Sequence, residues 1–175
     1  GLGDVYKRQL VYGALCVALS FMLSYIKLFS LPMGGSLTLC SMLPIAAYAC
    51  AFGPLYGFVA GLAFGMLQLI QDFYVIHWAQ LLLDYFFAFA CYGIAAYFPN
   101  KLTLGIAVAG LCRMLCSTLS GGIFFADSAV DAGWSNAWLY SLAYNGSTIG
   151  AETVLCVLVS LLPPVKKVLG LMKSE

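Results

Sequence analysis

The sequence predicts an all-α integral membrane protein with six transmembrane helices. Of its 175 residues, 63% are hydrophobic and 9% are charged, whereas soluble domains carry about 25% charged residues. The apolar residues form long runs, and each run is broken by a short segment rich in Pro, Gly, Asn or charge. Because one span needs about 20 residues, the chain has room for about six spans and none for a soluble domain.

Each predicted span lies between two turn signals. The spans are expected at about residues 10–29, 36–51, 55–71, 78–98, 102–125 and 137–162. Residues 1–9 match nothing that follows, so we expect a foreign or disordered start there and exclude it from the fold. Residues 163–175 are expected to form a basic cytoplasmic tail.

The charges between the spans predict the orientation. If the N-terminus is inside, the inner segments carry Lys101, Lys166, Lys167 and Lys173. The outer segments then carry Asp72, Asp127 and Asp131, with Lys27 near one helix end. Cytoplasmic loops are enriched in Lys and Arg. Both termini are therefore expected in the cytoplasm. The chain is expected to be a multi-pass protein of the plasma membrane.

The pair Asp84-Tyr85 is the strongest indication of a binding site. It lies inside the apolar run 79–90, where a carboxylate costs at least about 2.5–3.5 kcal/mol at a bilayer centre. A carboxylate beside an aromatic hydroxyl suits a small pocket for a polar, cationic ligand. The alternative interpretations are a polar contact between helices, or an acid close to the membrane edge.

Other polar residues are expected at the same depth as Asp84, which lies roughly 10 Å from the outer end of its helix. They come from the fifth and sixth spans and from one outer loop. The set is Tyr74, Ser117, Ser120, Gly121, Tyr140 and Asn145. An acid, stacking tyrosines and an amide suit a planar nitrogenous ligand. Arg113 and Glu152 are the other buried charges, and we interpret them as structural, paired with each other or with backbone.

Several other classes of protein are disfavoured. The seven cysteines are scattered without a C-x-x-C pair, so they are expected to pack rather than to bind metal or form disulfides. A net charge of +1 gives no electrostatic case for nucleic acid. Ser120 has no histidine base on a later helix, since His77 is the only histidine. No P-loop is present, and no cofactor is predicted.

Two stripes of small residues recur at helical spacing, where they let backbones approach closely. Gly57, Gly61 and Gly65 are expected to pack inside the bundle. Ala14 and Ala18 could equally meet another protein.

Several segments together resemble one known family. They are 35–45, with Gly-Ser-Leu-Thr-Leu and Met-Leu-Pro-Ile; 80–89, with the acid-Tyr pair; 120–125; and 138–147, with Trp-Leu-Tyr and Tyr-Asn-Gly-Ser. This pattern is similar to the thiamine-specific S components of energy-coupling factor (ECF) vitamin transporters. The resemblance covers about residues 10–162 and implies a six-helix subunit that captures thiamine from outside. It also implies docking on a transmembrane coupling subunit driven by two ATPase subunits, so this chain itself would not be an enzyme.

The resemblance also implies roles for individual residues. The family's ligand-binding positions fall on Tyr74, Asp84, Tyr85, Ser117, Gly121, Phe125, Tyr140 and Asn145, and its coupling-subunit contact falls on Ala14 and Ala18. Three positions depart from the family pattern: Ser117 replaces histidine, Phe125 replaces tryptophan and Asp84 replaces glutamate. A thiamine precursor or analogue with the same aminopyrimidine ring, or another vitamin, is therefore an alternative ligand. A small intramembrane enzyme or a scaffold protein is the alternative class.

Overall fold

The computed structural model describes residues 1–174 and is mostly helical. The helices are α1 (Leu2–Ser24), α2 (Leu43–Phe52), α3 (Pro54–Gln71), α4 (Trp78–Tyr97), α5 (Leu102–Phe124), α6 (Ala126–Asp131), α7 (Ala137–Ser160) and α8 (Pro163–Ser174). Two short strands, β1 (Lys27–Ser30) and β2 (Ser36–Thr38), form an antiparallel hairpin between α1 and α2.

Within residues 1–174, four helices are long and apolar enough to cross a membrane: α3, α4, α5 and α7. They agree with the last four predicted spans to within two residues at each end. Helix α1 has 23 residues, but its first turns carry Asp4, Lys7 and Arg8. Helix α2 has only 10 residues, which is about half the length that a span needs.

The first two predicted spans are wrong in part. The first was expected to continue to residue 29, but α1 ends at Ser24 and the chain enters β1. The second was expected to begin at residue 36, but that segment is β2 and the helix starts at Leu43. A short apolar run does not distinguish strand from helix by its pattern alone. Non-helical backbone is tolerated at membrane depth where it lines a cavity. The turn and second strand of this hairpin line a cavity.

The glycine stripe of α3 packs against α4, as predicted for internal bundle packing. A side chain added at Gly61 would lie 3.1 Å from the Cα atom of Ala90, and one at Gly57 would lie 2.9 Å from the Cα atom of Gly93. The two backbones are therefore too close for any larger residue. Helix α2 lies in the centre of the bundle, where Ile45, Ala46 and Ala49 are fully buried.

The charged residues separate toward opposite ends of the bundle. At one end, the rings of Tyr12 and Phe52 lie 5.6 Å apart, and Lys173 donates a hydrogen bond to the Pro99 carbonyl. At the other end, Lys27 pairs with Asp72 at 2.7 Å. The first turns of α1 and the whole of α8 therefore lie at the first of these ends. We call it the basic end, because it carries the lysines and the arginine of these two segments. Residues 2–9 belong to α1, and residues 163–174 form α8.

Candidate functional site

A cavity opens near the end of the bundle that holds the Lys27–Asp72 pair, between the hairpin and helices α3, α4, α5 and α7. Its volume is about 140 Å³. All eight residues predicted to bind a ligand border it: Tyr74, Asp84, Tyr85, Ser117, Gly121, Phe125, Tyr140 and Asn145. Positions far apart in the sequence thus form one continuous wall.

Asp84 is held in place by neighbouring side chains. Its Oδ2 atom accepts hydrogen bonds from Gln80 Nε2 and Ser120 Oγ, both at 2.8 Å. It lies in a π-helical turn, Leu82–Phe87, within α4. Such a turn adds a residue to the helical repeat and often occurs at functional sites. The hydrogen bonds fix the direction of the carboxylate before any ligand arrives.

Aromatic side chains form the outer wall of the cavity. The rings of Tyr74 and Phe125 are stacked, with centroids 5.9 Å apart and planes 25° apart. The Tyr85 hydroxyl donates to the Asp72 carbonyl at 2.6 Å and accepts from the Tyr74 N–H at 3.2 Å. Tyr85 therefore holds the loop after α3 in position and brings Tyr74 to the cavity.

Asn145 and Gly121 meet where α5 and α7 pack. Asn145 Nδ2 donates to the Ser141 carbonyl at 2.9 Å, so one half of the amide is used within its own helix. A side chain added at Gly121 would collide with the side chain of Ser141 and lie 3.7 Å from Asn145 Nδ2. Gly121 thus admits the neighbouring helix, which brings Ser141 and Asn145 to the cavity.

Tyr144 is a cavity residue that the sequence analysis missed. Its hydroxyl accepts a hydrogen bond from the Gly35 N–H at 2.8 Å and donates one to the Pro32 carbonyl. It therefore ties the turn of the hairpin to α7. The sequence did carry a signal for Tyr144. It lies four residues after Tyr140, which was already predicted to be in the site, and residues four apart share a helix face.

Glu152 and Arg113 form an ion pair, as one of the predicted alternatives proposed, with Nη1 of Arg113 3.7 Å from Oε2 of Glu152. Glu152 also accepts hydrogen bonds from Thr38 Oγ1 and Ser41 Oγ, each at 2.7 Å. The Arg113 guanidinium lies 4.4 Å from the centroid of the Phe89 ring. Both charges also border the cavity, a position that the sequence analysis did not predict.

The charges around the cavity leave one carboxylate without a cation partner. Asp72 pairs with Lys27, and Glu152 pairs with Arg113. Among residues 1–174, Asp84 forms no ion pair. The lining therefore favours a positively charged or hydrogen-bond-donating ligand. Nowhere in the described part of the chain do three His, Cys, Asp or Glu side chains come together as a metal site would require.

Ala14 and Ala18 do not border the cavity. They lie on α1 with both side chains exposed, so they are free of the internal packing that buries the glycines of α3.

Comparison with known proteins identifies the family. A sequence model described as thiamine transporter protein (Thia_YuaJ) matches residues 10–171. The chain belongs to the thiamine transporter protein family. A relative in Bacillus subtilis (strain 168), the thiamine transporter ThiT, is 31% identical over an alignment that covers 74% of this chain and 75% of the relative.

A solved structure shares the fold of this family member. It is that of ThiT from Listeria monocytogenes, with a TM-score of 0.73. The alignment covers 95% of this chain and 94% of that protein at 23% identity. Nearly the whole chain, including the region of the hairpin and the short α2, therefore aligns with that solved structure.

Proposed function

We propose that this chain captures thiamine from outside the cell as the substrate-binding S component of an ATP-driven ECF transporter. Membership of the thiamine transporter protein family supports the ligand, as does the name of the Bacillus subtilis relative. The observation that carries the proposal is Asp84, a carboxylate that pairs with no cation in residues 1–174 and borders an aromatic-walled cavity within a membrane protein.

The cavity offers a complementary partner to each part of such a ligand. Thiamine joins an aminopyrimidine ring to a positively charged thiazolium ring. Asp84 supplies a charge-assisted contact, which is roughly twice as strong as a neutral hydrogen bond. The Tyr74 and Phe125 rings present flat faces on which a cationic ring can stack. Asn145 supplies an amide that also borders the cavity.

Uptake against a gradient needs energy from partner subunits, because the sequence carries no nucleotide-binding loop. The proposed partners are a transmembrane coupling subunit and, through it, two ATPase subunits. The exposed Ala14 and Ala18 are the proposed contact with the coupling subunit, since small residues let two helices approach closely. The basic end, with both termini, is proposed to face the cytoplasm of a bacterium.

Titration calorimetry on the detergent-solubilised protein tests the proposal. We expect saturable binding of thiamine, with one molecule per chain. Saturable binding of an aminopyrimidine fragment without saturable binding of thiamine would assign the ligand to the precursor alternative, which Ser117 and Phe125 motivate. No saturable heat from thiamine or from either fragment below millimolar concentration would refute the assignment.

A further inference from the structure

Helix α8 lies against the basic end of the bundle. Val165, Leu169 and Met172 recur at helical spacing and face the hydrophobic core, with Met172 4% exposed. Lys173 donates a hydrogen bond to the Pro99 carbonyl. These contacts hold one face of the helix against the protein.

The remaining surface of α8 is divided between apolar and basic side chains. Val168 is 56% exposed and Leu171 is 50% exposed, and they lie on one flank. Lys166 and Lys173 are exposed on the opposite flank, and Lys167 is exposed between the two flanks. Within Pro163–Ser174 there is no Asp or Glu to neutralise the three lysines.

The position of α8 in the chain favours a location at the membrane surface. It begins at Pro163, only three residues after Ser160 ends α7, a helix long and apolar enough to span. Leu161 and Leu162, which connect the two helices, are also about half exposed. The apolar flank of α8 therefore follows an exposed apolar connection at the end of a helix that is long enough to span.

We propose that α8 is an interfacial helix that binds anionic phospholipid. Val168 and Leu171 enter the boundary between headgroups and acyl chains, and Lys166 and Lys167 contact the phosphate groups. Amphipathic helices with lysines on the polar face bind membranes in this way. Each basic residue near an anionic surface adds to the attraction, so the helix distinguishes anionic from neutral lipid.

Hydrogen–deuterium exchange of the intact protein in lipid nanodiscs tests this proposal. The amides of residues 165–174 are compared in discs of phosphatidylcholine alone and in discs that also contain phosphatidylglycerol. We expect exchange about tenfold slower in the anionic discs, because two lysines favour the bound helix. High salt should remove the difference, since it screens the attraction.

Three variants separate the effect of charge from that of the fold. The double variant Lys166→Gln and Lys167→Gln should abolish the dependence on anionic lipid, whereas Lys101→Gln, at the same end but outside α8, should preserve it. The double variant Val168→Ser and Leu171→Ser keeps every lysine and should raise exchange in both kinds of disc.

The proposal is overturned if wild-type exchange is the same in neutral and anionic discs. Protection that appears only when the coupling subunit is added would also overturn it, and would assign α8 to a protein contact. None of these readouts depends on thiamine, so failure here leaves the proposed function standing.

Discussion

Among single residues, Asp84 combines a partly buried position, two hydrogen bonds and no ion-pair partner in the described part of the chain. Asp84→Asn keeps the shape of the side chain but removes its charge. We expect thiamine affinity to fall at least tenfold, or about 1.4 kcal/mol, while the thermal midpoint changes little. Calorimetry measures the affinity, and Asp127→Asn, at an exposed position, is the matched control. Unchanged affinity in Asp84→Asn would make Asp84 a structural residue.

Tyr144 gives a second residue-level prediction, because its hydroxyl holds the hairpin through Gly35 and Pro32. Tyr144→Phe removes both hydrogen bonds and keeps the ring. A typical hydrogen bond contributes about 0.5–1.5 kcal/mol, so we expect a several-fold loss of thiamine affinity. Tyr97→Phe, at a ring that is 65% exposed, should bind like the wild type. Equal affinity in the two variants would show that the hairpin needs no anchor at Tyr144.

The residues of the site were more predictable than their contacts. An acid and a tyrosine in an apolar run mark Asp84 and Tyr85 from the sequence, and helix depth brings in Tyr140 and Asn145. Glu152 was interpreted only as structural, because its hydroxyl partners Thr38 and Ser41 lie in a segment that was predicted to be a helix. The hairpin had to be known before Glu152 could be placed beside the cavity.

At the level of elements, the ion pair between α5 and α7 anchors the hairpin through Glu152. Glu152→Ala leaves the Arg113 guanidinium, whose side chain is 14% exposed, without its carboxylate, and breaking a buried pair in this way costs up to about 3–5 kcal/mol. We therefore expect a markedly lower thermal midpoint. Glu152→Gln keeps acceptors for Thr38 and Ser41, so its loss should be smaller. Equal midpoints for Glu152→Ala and the wild type would contradict the proposed anchoring.

The contact between α3 and α4 depends on Gly61. Gly61→Val would push its side chain against the backbone of Phe89 and Ala90, and overpacking of this kind typically costs about 1–3 kcal/mol. We expect a lower thermal midpoint and less folded protein. Gly170→Ala is the control, because nothing lies within 4 Å of an added side chain there. If both variants melt like the wild type, the close packing of α3 and α4 is not required.

Long apolar helices were predicted well and short elements poorly. Helices α3, α4, α5 and α7 carry enough apolar residues between turn signals for their ends to be found within two residues. The hairpin and α2 occupy an apolar run of nearly the same length. The apolar side chains of α2 are buried by protein rather than lipid, with Ile45 fully buried, and composition does not distinguish these two environments.

For the whole molecule, the proposed function separates the binding cavity from the surface that contacts partners. Ala14 and Ala18 are exposed on α1 and lie outside the cavity lining. Replacing either with Leu should abolish uptake in cells that express the full transporter, because added bulk separates two packed helices. Thiamine binding to the purified variant should stay within about twofold of the wild type, since no cavity contact changes.

A lipid-facing position supplies the control for that experiment. Val59→Leu adds one methylene to a side chain of α3 that is 57% exposed, and it should leave both uptake and binding unchanged. Normal uptake in both alanine variants would place the partner contact elsewhere. A parallel loss of uptake and binding would show instead that Ala14 and Ala18 stabilise the bundle.

The central claim, that this cavity takes up thiamine, is tested most directly by native mass spectrometry of the purified protein in an equimolar mixture of thiamine and other vitamins. We predict one bound molecule per chain, with the mass of thiamine, and its loss in Asp84→Asn. A bound vitamin of another mass, or no adduct at all at thiamine concentrations that saturate a micromolar site, would contradict the account.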